Sequence, residues 1–191
     1  MLGVSLPKMR KFNARAEDFV LRSFFFGERI TMLKFYDVEE NYINYLKTID
    51  RQIPDIAYST NNKFVCGIVL DIGGVTYYAP ISHTTQRFRT SKLIYDKGTP
   101  ISSIRFSFMF PAPQSVLTQK NFAQIRAVDP NYADVITAEY RYCVRNENDI
   151  LQKANSVYNI GCNKNHPYNY TCCDFKKLES EYMKYDKTVA Y

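Results

Sequence analysis

Short runs of β-branched and aromatic residues between Lys34 and Leu117 predict an antiparallel sheet. The clearest unit is a hairpin in which Phe64–Ile72 and Val75–Ile81 flank Gly73-Gly74, because paired glycines allow the positive φ angles of a tight turn. Other strands are predicted where apolar and polar residues alternate or where a short apolar run lies between turn residues. They are Lys34–Val38, Leu93–Tyr95, Ser103–Phe110 and an edge strand at Ser115–Leu117.

Helical spacing of apolar residues occurs on both sides of these strands. Glu39–Ile53 carries one apolar helical face, and Pro54 should end that helix. The pair Asp129-Pro130 is a good helix start, from which periodic positions continue towards Gly161 as a stop. Asp174 should cap a last helix. Together, the predicted strands and helices indicate an α+β fold, with a compact, strongly twisted, barrel-like antiparallel sheet surrounded by helices.

The first 31 residues differ from the rest of the chain. Met32 opens a segment that reads like a protein start followed at once by a strand, and the codons of Gly27-Glu28-Arg29 can spell a ribosome-binding site. An over-extended start explains residues 1–31 better than the alternative, an amphipathic arm whose phenylalanines dock on the body. We therefore expect residues 32–191 to form the functional domain and residues 1–31 to lie outside the core fold.

Composition permits a polyanionic partner without requiring one. The net charge is +6, and 46% of the residues are hydrophobic, which suffices for a buried core. Residues 1–31 hold half of that charge, so an RNA site in the body has to be a local basic patch. The 16 tyrosines suit base stacking, but composition alone favours the interpretation that they fill a small β-rich core.

Several classes of protein are disfavoured by what the sequence lacks. Five cysteines without a CxxC pair argue against a disulfide framework and for the reducing cytoplasm. A zinc site drawn through Cys162, His166, Cys172 and Cys173 has the spacing of no common zinc motif. No apolar run approaches the roughly 18 residues of a membrane span. Familiar nucleotide-binding and hydrolase motifs are missing, and we expect neither a metal nor a cofactor.

RNA cleavage is a chemistry that this sequence can support without a metal. The 2′-hydroxyl of RNA attacks its own phosphate, so a protein supplies a base, an acid and donors for the phosphate oxygens. The polar loop that follows the hairpin offers such groups. Ser82 and His83 are the candidate catalytic residues, and an imidazole can exchange a proton near neutral pH. The candidate RNA-binding residues are Thr84, Thr85, Arg87, Phe88, Arg89 and Lys92.

Two further candidates, Tyr58 and Lys63, precede the first strand of the hairpin. Because the hairpin strands are antiparallel, the loop before the first and the loop after the second share one end of the sheet. Tyr58 and Lys63 could therefore face Ser82 and His83 across a cleft. An exposed strand-edge lysine is the competing interpretation of Lys63. For His166, a surface-loop position is the default interpretation.

An ordered set of short motifs resembles the ToxN/AbiQ family, the ribonuclease toxins of type III toxin–antitoxin systems. No single motif is diagnostic, but their order from Met32 to Tyr182 is fairly specific. The matching motifs are Lys34-Phe35-Tyr36, Tyr42-Ile43-Asn44-Tyr45-Leu46, Gly67-Ile68-Val69-Leu70, Tyr78-Ala79-Pro80-Ile81-Ser82, Phe108-Met109-Phe110-Pro111, Arg145-Asn146-Glu147 and Cys173-Asp174-Phe175.

The resemblance implies a fold, an activity and a partner. The fold would be similar to the small barrel of MazF- and CcdB-like toxins. The activity would be metal-free cleavage of mRNA that leaves a 2′,3′-cyclic phosphate. The toxin would also process its own repeated antitoxin RNA and stay bound to the pseudoknotted units in a closed protein–RNA assembly, often as a defence against phage.

The site residues follow the family pattern only in part. The family's catalytic segment commonly reads Thr-Ser-x-Lys, and in this chain Ser82 keeps the first hydroxyl. His83 stands in place of the family serine, and Thr85 stands where the lysine is expected. Tyr58 and Lys63 match the family's upstream tyrosine and lysine, with a spacing that differs by one residue.

Two alternatives to a ribonuclease remain open on the sequence. One is a toxin of the same fold that poisons a protein target such as gyrase, and the other is a non-catalytic RNA-binding module. A basic, hydroxyl-rich loop fits both as an anion-binding surface. Which of His83, Lys63 and Arg87 transfers the proton or supplies the charge is also left open.

Overall fold

A computed structural model describes residues 33–55 and 64–191 of the chain. These residues belong to one compact unit, Met32–Tyr191. The predicted extension, residues 1–31, lies outside the described residues, and so do the candidates Tyr58 and Lys63. The separate status of residues 1–31 and the placement of Tyr58 and Lys63 beside the loop therefore stay predictions.

Seven strands of the described residues form one antiparallel sheet. The order across the sheet is β4-β5-β3-β2-β1-β7, and β6 pairs with β3 further along the strand edge that β5 occupies. The strands are β1 (Lys34–Val38), β2 (Val65–Ile72), β3 (Val75–Ser82), β4 (Ser91–Asp96), β5 (Thr99–Arg105), β6 (Phe110–Pro111) and β7 (Leu117–Gln119).

Five α-helices lie within the described ranges, and α3 packs against β4 while α4 packs against β2. None of the described helices is long and apolar enough to cross a membrane. The helices are α1 (Glu40–Ile49), α2 (Phe122–Val128), α3 (Pro130–Arg145), α4 (Glu147–Cys162) and α5 (Phe175–Glu181). Short 3₁₀ turns occur at Phe106–Phe108, Gln114–Val116, Asn169–Thr171 and Tyr182–Lys184.

The local signals for turns and helix starts are confirmed. Gly73 and Gly74 join β2 to β3 with φ angles of 61° and 88°, the left-handed conformations that the two glycines permit. The carboxylate of Asp129 accepts a hydrogen bond from the Tyr132 N–H at 2.9 Å, and that of Asp174 accepts one from the Lys177 N–H at 3.1 Å. Both aspartates therefore cap their helices as predicted.

The predicted continuous strand Ser103–Phe110 is wrong. β5 ends at Arg105, the 3₁₀ turn Phe106–Phe108 follows, and pairing with β3 resumes at β6. The turn inserts extra residues between two pairings with the same strand, so the aromatic alternation does not reflect a regular strand. The edge strand is also displaced, because Gln114–Val116 is a 3₁₀ turn and β7 occupies Leu117–Gln119.

Two helix predictions need correction. The first helix ends at Ile49 rather than Ile53, because Asp50 adopts an extended conformation and its carboxylate accepts the Gln52 N–H. The long periodic segment is two helices that break at Asn146. Gly161 lies inside α4 and not beyond its end. An added Cβ there would come within 2.4 Å of the Phe175 ring, so this glycine serves close packing.

The sheet is open, so the barrel-like closure expected from the sequence is wrong. Among the described residues, β4 and β7 are the outer strands of the order and do not pair with each other. The mixed arrangement of an antiparallel sheet and packed helices confirms the α+β class. Similarity to MazF- and CcdB-like toxins stays a prediction.

Candidate functional site

The loop that carries Ser82 and His83 crosses the sheet. β3 and β4 flank β5 and both run antiparallel to it, so they are parallel to each other. Ser82 at the end of β3 lies opposite Ser103, whereas Ser91 at the start of β4 lies opposite Arg105. Residues 83–90 must therefore pass over β5 to connect the two strands.

The hydroxyl groups at the start of this loop lie next to each other. Ser82 Oγ is 3.3 Å from Thr84 Oγ1 and also accepts the Thr84 N–H at 3.4 Å. Both side chains are half-buried, whereas His83 and Thr85 are exposed. No hydrogen bond joins the His83 side chain to the residues that the structure describes.

The far end of the loop is fastened to the sheet. Ser91 Oγ and the Phe88 main chain exchange hydrogen bonds at 3.3 Å, and the Phe106 N–H donates to the Thr90 carbonyl at 3.1 Å. The side chain of Phe88 packs against the sheet as well, because its ring lies over the guanidinium of Arg105. The exposed Arg89 lies over the ring of Tyr168, with its Cζ 5.1 Å from the ring centre.

A groove of about 860 Å³ begins at this loop and follows the outer strand β4 towards α4. Four of the predicted RNA-binding residues meet along it, whereas Ser82, His83, Thr84 and Thr85 precede it along the chain. The lining residues are Arg87, Phe88, Arg89, Ser91, Lys92, Leu93, Tyr95, Tyr142, Asp149, Gln152, Lys153 and Ser156.

The groove combines positive charge with aromatic surface. Lys92 is held by Asp149 at 3.3 Å, whereas Arg87, Arg89 and Lys153 pair with no carboxylate among the described residues. The rings of Tyr95 and Tyr142 lie 6.0 Å apart between their centres. Such a surface binds a charged backbone through its cations and planar bases through its rings.

A buried carboxyl group lies on the other side of the sheet. Glu139 of α3 is fully buried, and neither of its oxygens makes a hydrogen bond of good geometry in the described part of the chain. Burial raises the pKa of Glu139 to about 7, an effect that the nearby Ser102 hydroxyl partly opposes. This carboxyl group lies in the core and not in the groove.

A second cavity of about 520 Å³ lies at the far end of α4. It is lined in part by Arg51, Lys164 and Lys177, and Cys162 and Cys172 also face it. Nowhere in residues 33–55 and 64–191 do three or more His, Cys, Asp or Glu side chains group closely enough to hold a metal ion. His166 is bound locally, since its Nδ1 accepts the Tyr168 N–H at 3.2 Å.

Comparison with known proteins adds the family. Residues 34–184 match the model described as Toxin ToxN, type III toxin-antitoxin system. The chain belongs to the ToxN family. The predicted resemblance is therefore confirmed, and the match covers most of the residues that the structure describes.

Relatives of this ToxN-family chain carry a consistent description. It is 25% identical over 162 residues to an endoribonuclease ToxN from Bacillus thuringiensis subsp. kurstaki, covering 80% of this chain and 84% of that protein. An endoribonuclease ToxN from Pectobacterium atrosepticum is 25% identical over 169 residues, covering 81% and 95% of the two chains.

Solved structures share the fold of this ToxN-family chain. One comes from work on selective toxin inhibition by a non-coding RNA pseudoknot in type III toxin–antitoxin systems, with a TM-score of 0.76, 23% identity and coverage of 82% and 99%. Another is AbiQ, a lactococcal anti-phage endoribonuclease, with a TM-score of 0.71, 23% identity and coverage of 81% and 98%.

Sequence reasoning missed part of the groove of this ToxN-family chain. The sequence predicted Arg105 only as part of the strand Ser103–Phe110, whereas the structure packs it against Phe88, which lines the groove. Tyr142 and Lys153 lie in helices far along the chain from the loop, and only the packing of α3 and α4 brings them to β4. One signal in the sequence was that Arg105 follows two serines and an isoleucine, with no acidic residue beside it that could pair with its charge.

Proposed function

We propose that this chain is an endoribonuclease toxin that an RNA antitoxin inhibits. The observation that carries the proposal is the groove along β4, which joins aromatic rings and cations, most of them without a carboxylate partner among the described residues, to the hydroxyl-rich loop at the end of β3. Membership in the ToxN family supports the same function, since two relatives are named endoribonucleases.

The proposed reaction needs no metal. The substrate's 2′-oxygen attacks the adjacent phosphorus and loses its proton to a base, while the bond from phosphorus to the 5′-oxygen breaks and an acid protonates that oxygen. The products are a 2′,3′-cyclic phosphate and a 5′-hydroxyl end. His83 would exchange one of these protons, and the hydroxyls of Ser82 and Thr84 would donate to the phosphate oxygens.

The groove would hold the RNA on one side of that phosphate. Arg87, Arg89, Lys92 and Lys153 would contact the backbone, and Tyr95 with Tyr142 would contact bases. We propose that the substrates are mRNA and the repeated precursor of the antitoxin. The antitoxin's pseudoknotted units would stay bound in a closed assembly, and this would serve phage defence.

We further propose that residues 32–191 carry this activity. Tyr58 and Lys63 keep their proposed place opposite Ser82 and His83 as a hypothesis. If Lys63 lies there, it would supply the charge that Thr85 does not, because Thr85 stands where the family commonly has a lysine.

The deciding experiment is RNA cleavage by the purified protein in EDTA. The wild-type protein should cut RNA and leave a cyclic phosphate. His83→Ala should lower the single-turnover rate constant by roughly 10²–10⁴, as expected for the loss of an acid–base group. RNA affinity should change little, because a group that transfers a proton acts mainly in the transition state and not on the bound RNA.

His166→Asn is the matched control, since the chain has two histidines and asparagine can still accept the local hydrogen bond. Its cleavage rate should equal that of the wild type. Intact RNA with the wild-type protein would contradict the ribonuclease and favour a binding module or a toxin with a protein target. A wild-type cleavage rate in His83→Ala would exclude His83 as the proton-transfer group but leave the ribonuclease activity standing. Tyr58 and Lys63 would then become the candidates for proton transfer.

A further inference from the structure

Arg105 and Ser82 lie on the same face of the sheet. Ser82 of β3 is directly opposite Ser103 of β5, and opposite residues in an antiparallel pair point to one face. Alternate residues of a strand share a face, so Arg105 points the same way as Ser103. Arg105 is thus the diagonal neighbour of Ser82, at a Cα distance of about 7–8 Å, which an arginine side chain can span.

Two aromatic rings pack against the Arg105 guanidinium. Its Cζ lies 4.7 Å from the ring centre of Phe88 and 4.9 Å from that of Phe108. Phe88 comes from the loop that crosses β5, and Phe108 comes from the 3₁₀ turn that interrupts the strand. The guanidinium donates hydrogen bonds through the N–H groups at its edge, a mode of binding that its contacts with the ring faces do not use.

The charge of Arg105 has no partner among the residues that the structure describes. Its Nε is buried without a hydrogen bond, and the half-buried side chain lies in no ion pair there. Burial lowers the pKa of Arg105, yet an arginine stays protonated in proteins. By contrast, the exposed Arg126 is held by Asp134 at 2.7 Å. An arriving phosphate would give this charge the anionic partner that the described residues do not supply.

We propose that Arg105 binds the phosphate at the cleaved bond and stabilises the charge that develops on it. This inference rests on the proposed ribonuclease function and names a residue of that same site. When the 2′-oxygen attacks, the two non-bridging oxygens gain negative charge. The fork of the guanidinium donates to them, while Ser82 donates from the neighbouring strand.

The 3₁₀ turn explains why an arginine can occupy this position. If β5 ran on as a regular strand, residue 108 would not return over residue 105. The break after Arg105 brings Phe108 back to the guanidinium, and the crossing loop supplies Phe88 as a second ring. A planar cation prepared in this way loses little freedom when phosphate binds, which favours stabilisation of the transition state.

The test is single-turnover cleavage in EDTA by Arg105→Lys and Arg105→Met, with RNA affinity and melting temperature measured for each. Lysine keeps the charge but lacks the planar fork, and methionine keeps the apolar stem alone. We expect the rate constant to fall about 10²-fold in Arg105→Met and less in Arg105→Lys, with affinity reduced much less than the rate. Arg126→Met, which removes an exposed arginine of α2, is the control and should cleave at the wild-type rate.

Three outcomes would overturn the inference. The first is a wild-type rate in both variants. The second is a rate loss in Arg105→Lys that only matches its loss of folded protein, which assigns the arginine to packing. The third is a fall in affinity as large as the fall in rate, which assigns it to general RNA binding. If the wild-type protein does not cut RNA, the proposed function itself fails and the inference falls with it.

Discussion

At the scale of single residues, Glu139 is the least expected feature of the core. A fully buried carboxyl group without well-formed hydrogen bonds is costly when charged, so it keeps its proton up to a higher pH. Burial raises the pKa of Tyr132, and the charge of the nearby Glu139 raises it further. Ser102 and Ser103 of β5 are also buried, and their hydroxyls form no hydrogen bond of good geometry with the described residues.

The stability of the protein should therefore depend on pH through Glu139. Its pKa is about 7 in the folded chain against an ordinary value of 4.5, so between these values the unfolded chain releases a proton that the folded chain keeps. The free energy of unfolding should fall by about 3 kcal/mol as pH rises across that range, and then level off. Glu139→Gln should lack this fall when urea unfolding is measured from pH 4 to pH 8.

Glu40→Gln, at an exposed position in the first turn of α1, is the control. It should follow the pH profile of the wild type. Parallel profiles for the wild type and Glu139→Gln would contradict the assignment to Glu139.

Tyrosine illustrates what single residues could and could not reveal. From the sequence, tyrosine could have been either a base-stacking or a core residue. The structure places Tyr42 and Tyr77 in the core, where their hydroxyls donate to the Pro111 carbonyl at 2.7 Å and to the Glu179 carboxylate at 2.8 Å. Tyr95 and Tyr142 instead line the groove. Composition cannot distinguish a core tyrosine from a groove tyrosine, because both positions depend on contacts with residues distant in the sequence.

At the scale of elements, the contact between α4 and α5 depends on a missing side chain. Gly161 lets the ring of Phe175 approach the backbone of α4, and that ring stacks on Tyr158 with 5.6 Å between ring centres. The hydroxyl of Tyr158 and that of Tyr77 both donate to Glu179 of α5. The position of α5 therefore rests on a close approach that a larger residue at position 161 would prevent.

Gly161→Ala should destabilise the protein, although alanine is the better helix former. Its Cβ would lie 2.4 Å from Cε2 of Phe175, so the ring or α5 would have to move. We expect a net loss of about 1–2 kcal/mol in the free energy of unfolding, since overpacking outweighs the gain of about 1 kcal/mol in helix propensity. Asn155→Ala, at an exposed position of the same helix, should be neutral or slightly stabilising.

A double-mutant cycle locates the cause of that loss. Phe175→Leu removes the ring, so Gly161→Ala should cost less in that background than in the wild type. The same cost in both backgrounds would show that the glycine matters for some other reason.

Elements with a local signal were predicted, and elements set by distant contacts were not. The hairpin of β2 and β3 and the caps of α3 and α5 depend on a few neighbouring residues, and the structure contains them. The 3₁₀ turn at Phe106–Phe108 depends on how the chain pairs twice with β3, which no local pattern encodes. The break at Asn146 has neither a proline nor a glycine to mark it.

At the scale of the whole molecule, positive charge collects around the two cavities at the ends of α4. The groove along β4 holds Arg87, Arg89 and Lys153, and the second cavity holds Arg51 and Lys164. The sequence predicted the first cluster because most of it lies in one loop. It could not place Lys153 there, because α4 lies far from β4 in the sequence and the two elements meet only in the folded chain.

RNA binding should therefore depend on salt in a way that single charges alter. Each backbone phosphate that a cation neutralises contributes about −0.7 to the slope of log K against log salt for single-stranded RNA. Lys153→Gln should make the slope less steep by about that amount. Asp149→Asn should raise affinity instead, because it releases Lys92 from its carboxylate partner.

Lys184→Gln is the matched control. Lys184 is exposed and pairs with Glu181 at 2.9 Å, away from the groove residues. Its slope should equal that of the wild type. Identical slopes for Lys153→Gln and the wild type would place the RNA elsewhere on the molecule.

The order of the strands also bears on how the site comes into existence as the chain folds. β2 pairs with β3, and β4 pairs with β5, each across a two-residue turn, so both hairpins close short loops and can form early. They meet where Ile81 faces Ile104 and Ser82 faces Ser103. Ser82 and Arg105 thus come from separately forming hairpins. A nascent chain would bring the two residues of the proposed anion site together only when the two hairpins dock, a late step of folding.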